Sequence, residues 1–90
     1  FMHDEDKLHK EVSVGQATET LLQNETLQKA FKELKELYTT EMLNTKLQDD
    51  EARRKCYELY HTINQFEKHL EEYVTTGQLA KQTLKNLKKF

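Results

Sequence analysis

Ala52, Cys56, Leu59, Ile63, Phe66, Leu70, Tyr73, Gly77, Ala80, Leu84 and Leu87 follow one another at steps of four and three residues in strict alternation. A repeat averaging 3.5 residues keeps one seam of a helix turned toward a partner helix along its whole length. In heptad terms Cys56, Ile63, Leu70, Gly77 and Leu84 occupy position a, and Leu59, Phe66, Tyr73, Ala80 and Leu87 occupy position d. The phase passes through Gly77 undisturbed, which predicts one continuous helix from Asp50 to about Lys89 rather than a helix ended by a glycine cap. The absence of Pro, only two Gly (Gly15 and Gly77) and 33% charged residues leave little material for turns or hairpins. An all-β fold is excluded on that ground.

The first half carries a second amphipathic stretch. Leu27, Ala30, Phe31, Leu34, Leu37, Tyr38 and Met42 recur three and four apart between Glu25 and about Lys46, with Glu25/Lys29, Lys29/Glu33 and Lys32/Glu36 on the other side. Asn24 suits the cap of this helix, and Asp49-Asp50-Glu51 suits the start of the next, which places the loop near residues 46–49. The expected fold is all-α: an antiparallel helical hairpin with a long coiled-coil-like C-terminal helix, preceded by a short helical segment, Gln16 to Gln23. Its core should hold Leu27, Phe31, Leu34, Tyr38, Leu59, Ile63, Phe66 and Leu70. Residues 1–15, with Asp4, Glu5 and Asp6 and no sustained period, read as a mobile acidic arm, and 16–90 as a single helical domain.

At 1.5 Å per residue the second helix is about 60 Å long against about 33 Å for the first, so the chain beyond about Tyr73 lacks cover from the first helix; Gln16 to Gln23 can cover part of it with Ala17, Leu21 and Leu22, and Leu84 and Leu87 remain poorly covered. An uncovered apolar seam implies another chain, which makes Tyr73, Gly77, Ala80, Leu84 and Leu87 the candidate partner-binding residues and a homo-oligomer the expected state. A glycine inside a helix costs about 1 kcal/mol relative to alanine, and close approach of another helix gives its reason. On that reading Gly77→Ala should be nearly neutral and Gly77→Leu disruptive.

Charge is uneven along the chain: Phe1 to Glu51 holds 6 Lys/Arg against 12 Asp/Glu, and Ala52 to Phe90 holds 8 against 4. Acidic and basic helices lying side by side account for this, with little energy at exposed positions. Lys81, Lys85, Lys88 and Lys89 crowd the C-terminal end. They complement the helix dipole there and could also touch phosphates without reading sequence.

No catalytic constellation is visible. Glu58 and His61 form a Glu-x-x-His, the spacing of a di-iron half-site, but they lie off the core seam and no second element accompanies them. His3 and His9 sit in the acidic arm, where ordering entropy works against a specific metal site. Cys56, the single cysteine, excludes an internal disulfide, fits a reducing compartment and reads as a small buried hydrophobe. No cofactor, metal or enzymatic activity is expected. No run of about 18 apolar residues exists to span a membrane, and no secretory signal is seen.

The order Ala17-x-x-x-Leu21-Leu22-x-Asn24, then Ala30-Phe31-x-x-Leu34-x-x-x-Tyr38, then Asn44-Thr45, Asp49, Arg53 and Tyr57, and finally His69-Leu70 with Gly77-x-Leu79-Ala80 resembles a family of short helical proteins of tailed bacteriophages and prophages. The likeness covers roughly residues 16–87; Tyr57 stands where the family pattern has Trp, and Cys56 where it has Leu. The resemblance implies a phage-encoded structural or assembly part, made in the bacterial cytoplasm or carried in the virion, with a virion or packaging protein as partner. Two alternatives stand beside it. One is a DNA-packaging component similar in role to a terminase small subunit, using the four C-terminal lysines; the other is an inhibitor of a host protein.

Overall fold

A computed structural model describes residues 2–88, and their side chains from residue 4 onward. Three helices follow one another: α1 (Met2–Leu22), α2 (Glu25–Leu43) and α3 (Asp50–Leu87). No strand occurs among the described residues, and the chain is an all-α helical hairpin with a long C-terminal helix. Two compact units divide it within α3. One joins α1 to the part of α3 from His69 onward, and the other joins α2 and the loop to α3 up to Lys68.

The acidic arm expected over residues 1–15 is instead part of the continuous helix α1. Its inward positions explain why the pattern escapes a hydrophobic reading. Leu8, Glu11, Val12, Gly15, Thr18 and Leu22 are the buried or half-buried residues, at helical spacing, but half of them, Glu11, Gly15 and Thr18, are small or polar. Asp4 and Glu5 stand in the first turn, where negative charge offsets the dipole. Thr18 is buried, and its hydroxyl donates to the Val14 carbonyl at 2.7 Å, so no polar group is left unsatisfied there. The expected single domain over 16–90 is likewise two local cores, because α1 and α2 break at Gln23–Asn24 and each packs on its own length of α3.

Asn24 does cap α2: its backbone is extended (φ −67°, ψ 121°) and its side-chain oxygen accepts from the Leu27 N–H at 3.0 Å. Asp49 caps α3 in the same way, accepting from the Ala52 N–H at 3.1 Å. Arg53 then closes the loop. Its guanidinium donates to the Thr45 hydroxyl at 3.0 Å and to the carbonyls of Lys46 and Leu47, each at 3.2 Å, and it pairs with Asp50. A single cation thus fills the acceptors of the connection between α2 and α3.

Between α2 and α3, Phe31 packs on Phe66 with ring centroids 5.9 Å apart, and Lys35 pairs with Glu67 at 2.8 Å. Phe31 is buried; Leu27, Leu34, Tyr38, Ile63 and Leu70 are half-buried. The two remaining core expectations fail, because Leu59 is 40% and Phe66 55% exposed. The seam of α3 is rotated from the expected one. It keeps the a positions, Cys56, Ile63, Leu70, Gly77 and Leu84, but pairs them with Arg53, Tyr60, Glu67 and Val74 in place of most of the d row. A single neighbouring helix covers a narrow strip, whereas the apolar stripe of α3 is wider, so one flank stays in solvent.

Candidate interaction surface

In the first unit the backbones of α1 and α3 nearly touch. A Cβ built on Gly15 would stand 2.9 Å from the Gly77 Cα and 2.9 Å from the Tyr73 carbonyl oxygen; one built on Gly77 would meet the Glu11 carbonyl oxygen and the Gly15 Cα, both at 2.9 Å. Thr18 and Ala80, three residues further along their helices, are buried beside these glycines in sequence. Neither glycine has a positive φ, so both serve proximity and not backbone conformation. Gly77 therefore lies inside a continuous helix, as the repeat predicts, and a close helix neighbour is present.

That neighbour is α1 of the same chain, which corrects the candidate partner surface. Gly77 and Ala80 are buried within the chain, and Leu84 is half-buried. Only Tyr73 and Leu87 of the five residues remain exposed. The expected cover of the α3 overhang is Gln16 to Gln23 through Ala17, Leu21 and Leu22, but Ala17 and Leu21 are exposed, and the closest approach is made earlier in α1, by Glu11 and Gly15. Gly15, missed in the sequence as an arm terminus, had a legible signal: Gly15-x-x-Thr18 repeats the small-residue spacing of Gly77-x-x-Ala80.

Grooves open on both sides of this crossing. The larger, about 370 Å³, lies between Lys7, Lys10 and Val14 of α1 and Glu72, Tyr73 and Thr76 of α3. His69 braces it, its ring meeting Tyr73 edge-on at 4.9 Å while its Nδ1 stands 3.4 Å from Glu72. The smaller, about 180 Å³, lies between Val12, Gln16 and Glu19 and Val74, Gln78 and Lys81. Lys85 and Lys88 are exposed near the end of α3, and Lys89 lies outside the described residues.

Glu58 and His61 are both exposed; His61 stacks on Tyr57, with ring centroids 6.0 Å apart, and contacts Gln65. His9 is exposed, and the His3 side chain lies outside the described residues. Among the described residues no three His, Cys, Asp or Glu side chains gather at metal-binding distance, and no helix is long and apolar enough to cross a membrane. Cys56 is a free, half-buried thiol.

The geometry offers apolar surface along α3. Leu59, Phe66, Tyr73 and Leu87, all in the d row of α3, are exposed by 40% to 55%. No protein-family model, curated protein or solved structure matches this chain.

Proposed function

We propose that the chain is a non-enzymatic assembly or adaptor protein that self-associates through its helices, with phage virion structure or assembly as its setting. The observation that carries the reading is that four of the five d residues of α3, Leu59, Phe66, Tyr73 and Leu87, are exposed, with only Ala80 among them buried. Large side chains in one heptad phase stand outside the strip that the chain's own helices cover. Exposed apolar residues scattered singly are ordinary, but a row in register with a 3.5-residue repeat is the form in which helices recognise helices. The setting rests on the phage resemblance alone, and the bacterial cytoplasm and the virion follow from it.

Sedimentation velocity on the whole chain tests the reading. A mass above one chain at micromolar concentration is expected, falling toward one chain on dilution. A strictly monomeric chain at high micromolar concentration would overturn it.

A further inference from the structure

The α2–α3 unit has two broad faces of unlike character. At about 100° per residue, Ala30 and Leu37 project roughly 100–120° to one side of the Phe31 direction, and Leu59 and Phe66 project about 80–100° to the same rotational side of the α3 seam. Because the helices run antiparallel, equal rotational sense brings both pairs onto one face. The Phe31/Phe66 ring contact sets the level: by it Ala30 comes to about the height of Phe66 and, two turns away, Leu37 to about the height of Leu59. Leu37 is 47% exposed, in keeping with Leu59 and Phe66. Lys32, His61 and Lys68 occupy the opposite face, all exposed.

From this we infer that a second copy of the chain docks on the face formed by Ala30, Leu37, Leu59 and Phe66, with α2 of each copy lying on α3 of the other. Three observations favour that occupant and that pairing. Two separate folded units of half the mass of this 10.8 kDa chain would together expose about 6,700 Å², whereas the chain exposes 7618 Å². The excess of about 900 Å², which belongs to the whole chain, is of the same order as the roughly 800 Å² that each partner gives up in a stable complex. Shape agrees as well, since the pairing sets Phe66 of one copy over Ala30 of the other, large against small, and Leu37 over Leu59. Charge agrees at the rim, where the exposed Glu41 of α2 comes over the exposed Lys55 of α3. The two-fold relation repeats every contact, so one apolar face closes completely on itself.

The inference rests on the self-association reading and specifies its surface. Leu37→Glu and Leu59→Lys, made separately in the whole chain, test it by sedimentation, with circular dichroism as the check on helix content. Both positions are exposed in the single chain, so helicity should persist while each charge, buried at the interface, weakens self-association about a hundredfold. Leu37→Gln and Leu59→Gln serve where a charged variant loses helix. An equimolar mixture of Leu37→Glu and Leu59→Lys chains should recover dimers, because one interface half then matches the introduced carboxylate with the introduced ammonium and the other matches Leu with Leu. A monomeric wild type, including one that binds only a different protein, would defeat both the function and this surface. Wild-type oligomers that all four variants leave intact would spare the function and overturn the surface. Dissociated variants that fail to recover on mixing would overturn the α2-on-α3 pairing.

Discussion

Gly15 and Gly77 are the chain's two glycines, and each holds a place where a methyl group does not fit. Read from the sequence, Gly77→Ala is harmless, on the premise that alanine as well as glycine leaves room for a neighbouring backbone. The two backbones stand closer than that, with no room even for a methyl group, which reverses the expectation. Alanine recovers about 1 kcal/mol of helix propensity, but its Cβ would crowd two main-chain atoms at 2.9 Å, and overpacking of that kind costs about 1–3 kcal/mol. Gly77→Ala should leave the chain less stable in urea by up to about 2 kcal/mol, and Gly77→Leu should release α1 altogether, seen as lost amide protection over Met2–Leu22. A stabilised alanine variant would show that the two helices part easily. A second substitution tests the same close approach from the other helix: Gly15→Ala should fail in the same manner.

At the scale of elements, what was legible followed from where the physics is local. Asn24 and Asp49 cap helices through their own side chains, so both boundaries could be read from residue type. The continuity of α3 followed from an uninterrupted phase. Only the part of α1 from Gln16 onward was legible; before it the inner face interrupts Leu8 and Val12 with Glu11 and Gly15, too short a hydrophobic period to be read as a helix. The rotation of the α3 seam was hidden for a different reason: a repeat shows that a stripe is apolar, but only the partner decides which part of the stripe is covered. Arg53 enters the sequence reading only through a resemblance. Its role depends on the loop bringing Thr45, Lys46 and Leu47 within reach, a three-dimensional fact that spacing does not encode. Arg53→Ala should cost about 1–2 kcal/mol, since charge-assisted hydrogen bonds contribute more than neutral ones but this guanidinium is partly exposed. Arg53→Lys should recover little of it, because a compact ammonium with three donors cannot span the four acceptors that the planar guanidinium reaches. Equal stability of Arg53→Ala and wild type by denaturant titration would mean that the caps alone hold the loop.

For the whole molecule, no described side chain is fully shielded from solvent, and Phe31 and Ala80 are the only apolar side chains in the buried class among the described residues. A ninety-residue chain with so little interior has small reserves of stability as a monomer, since apolar burial is the main term opposing chain entropy. Closing an apolar face against a second copy would therefore act on folding as well as on assembly. Mass action gives that coupling a measurable form. If the folded state is a dimer and the unfolded state is not, raising the concentration tenfold favours the folded dimer by about 1.4 kcal/mol and should raise Tm by about 3–4 °C for a pair of chains this size. A monomer that merely carries a few exposed leucines would melt at the same temperature at every concentration. Leu37→Glu provides the internal control: it should abolish the concentration dependence and bring Tm at high concentration down toward the dilute wild-type value. A wild-type Tm that stays constant across the dilution series would mean that the α2–α3 core is sufficient alone, and the exposed row on α3 would then have no part in holding the fold.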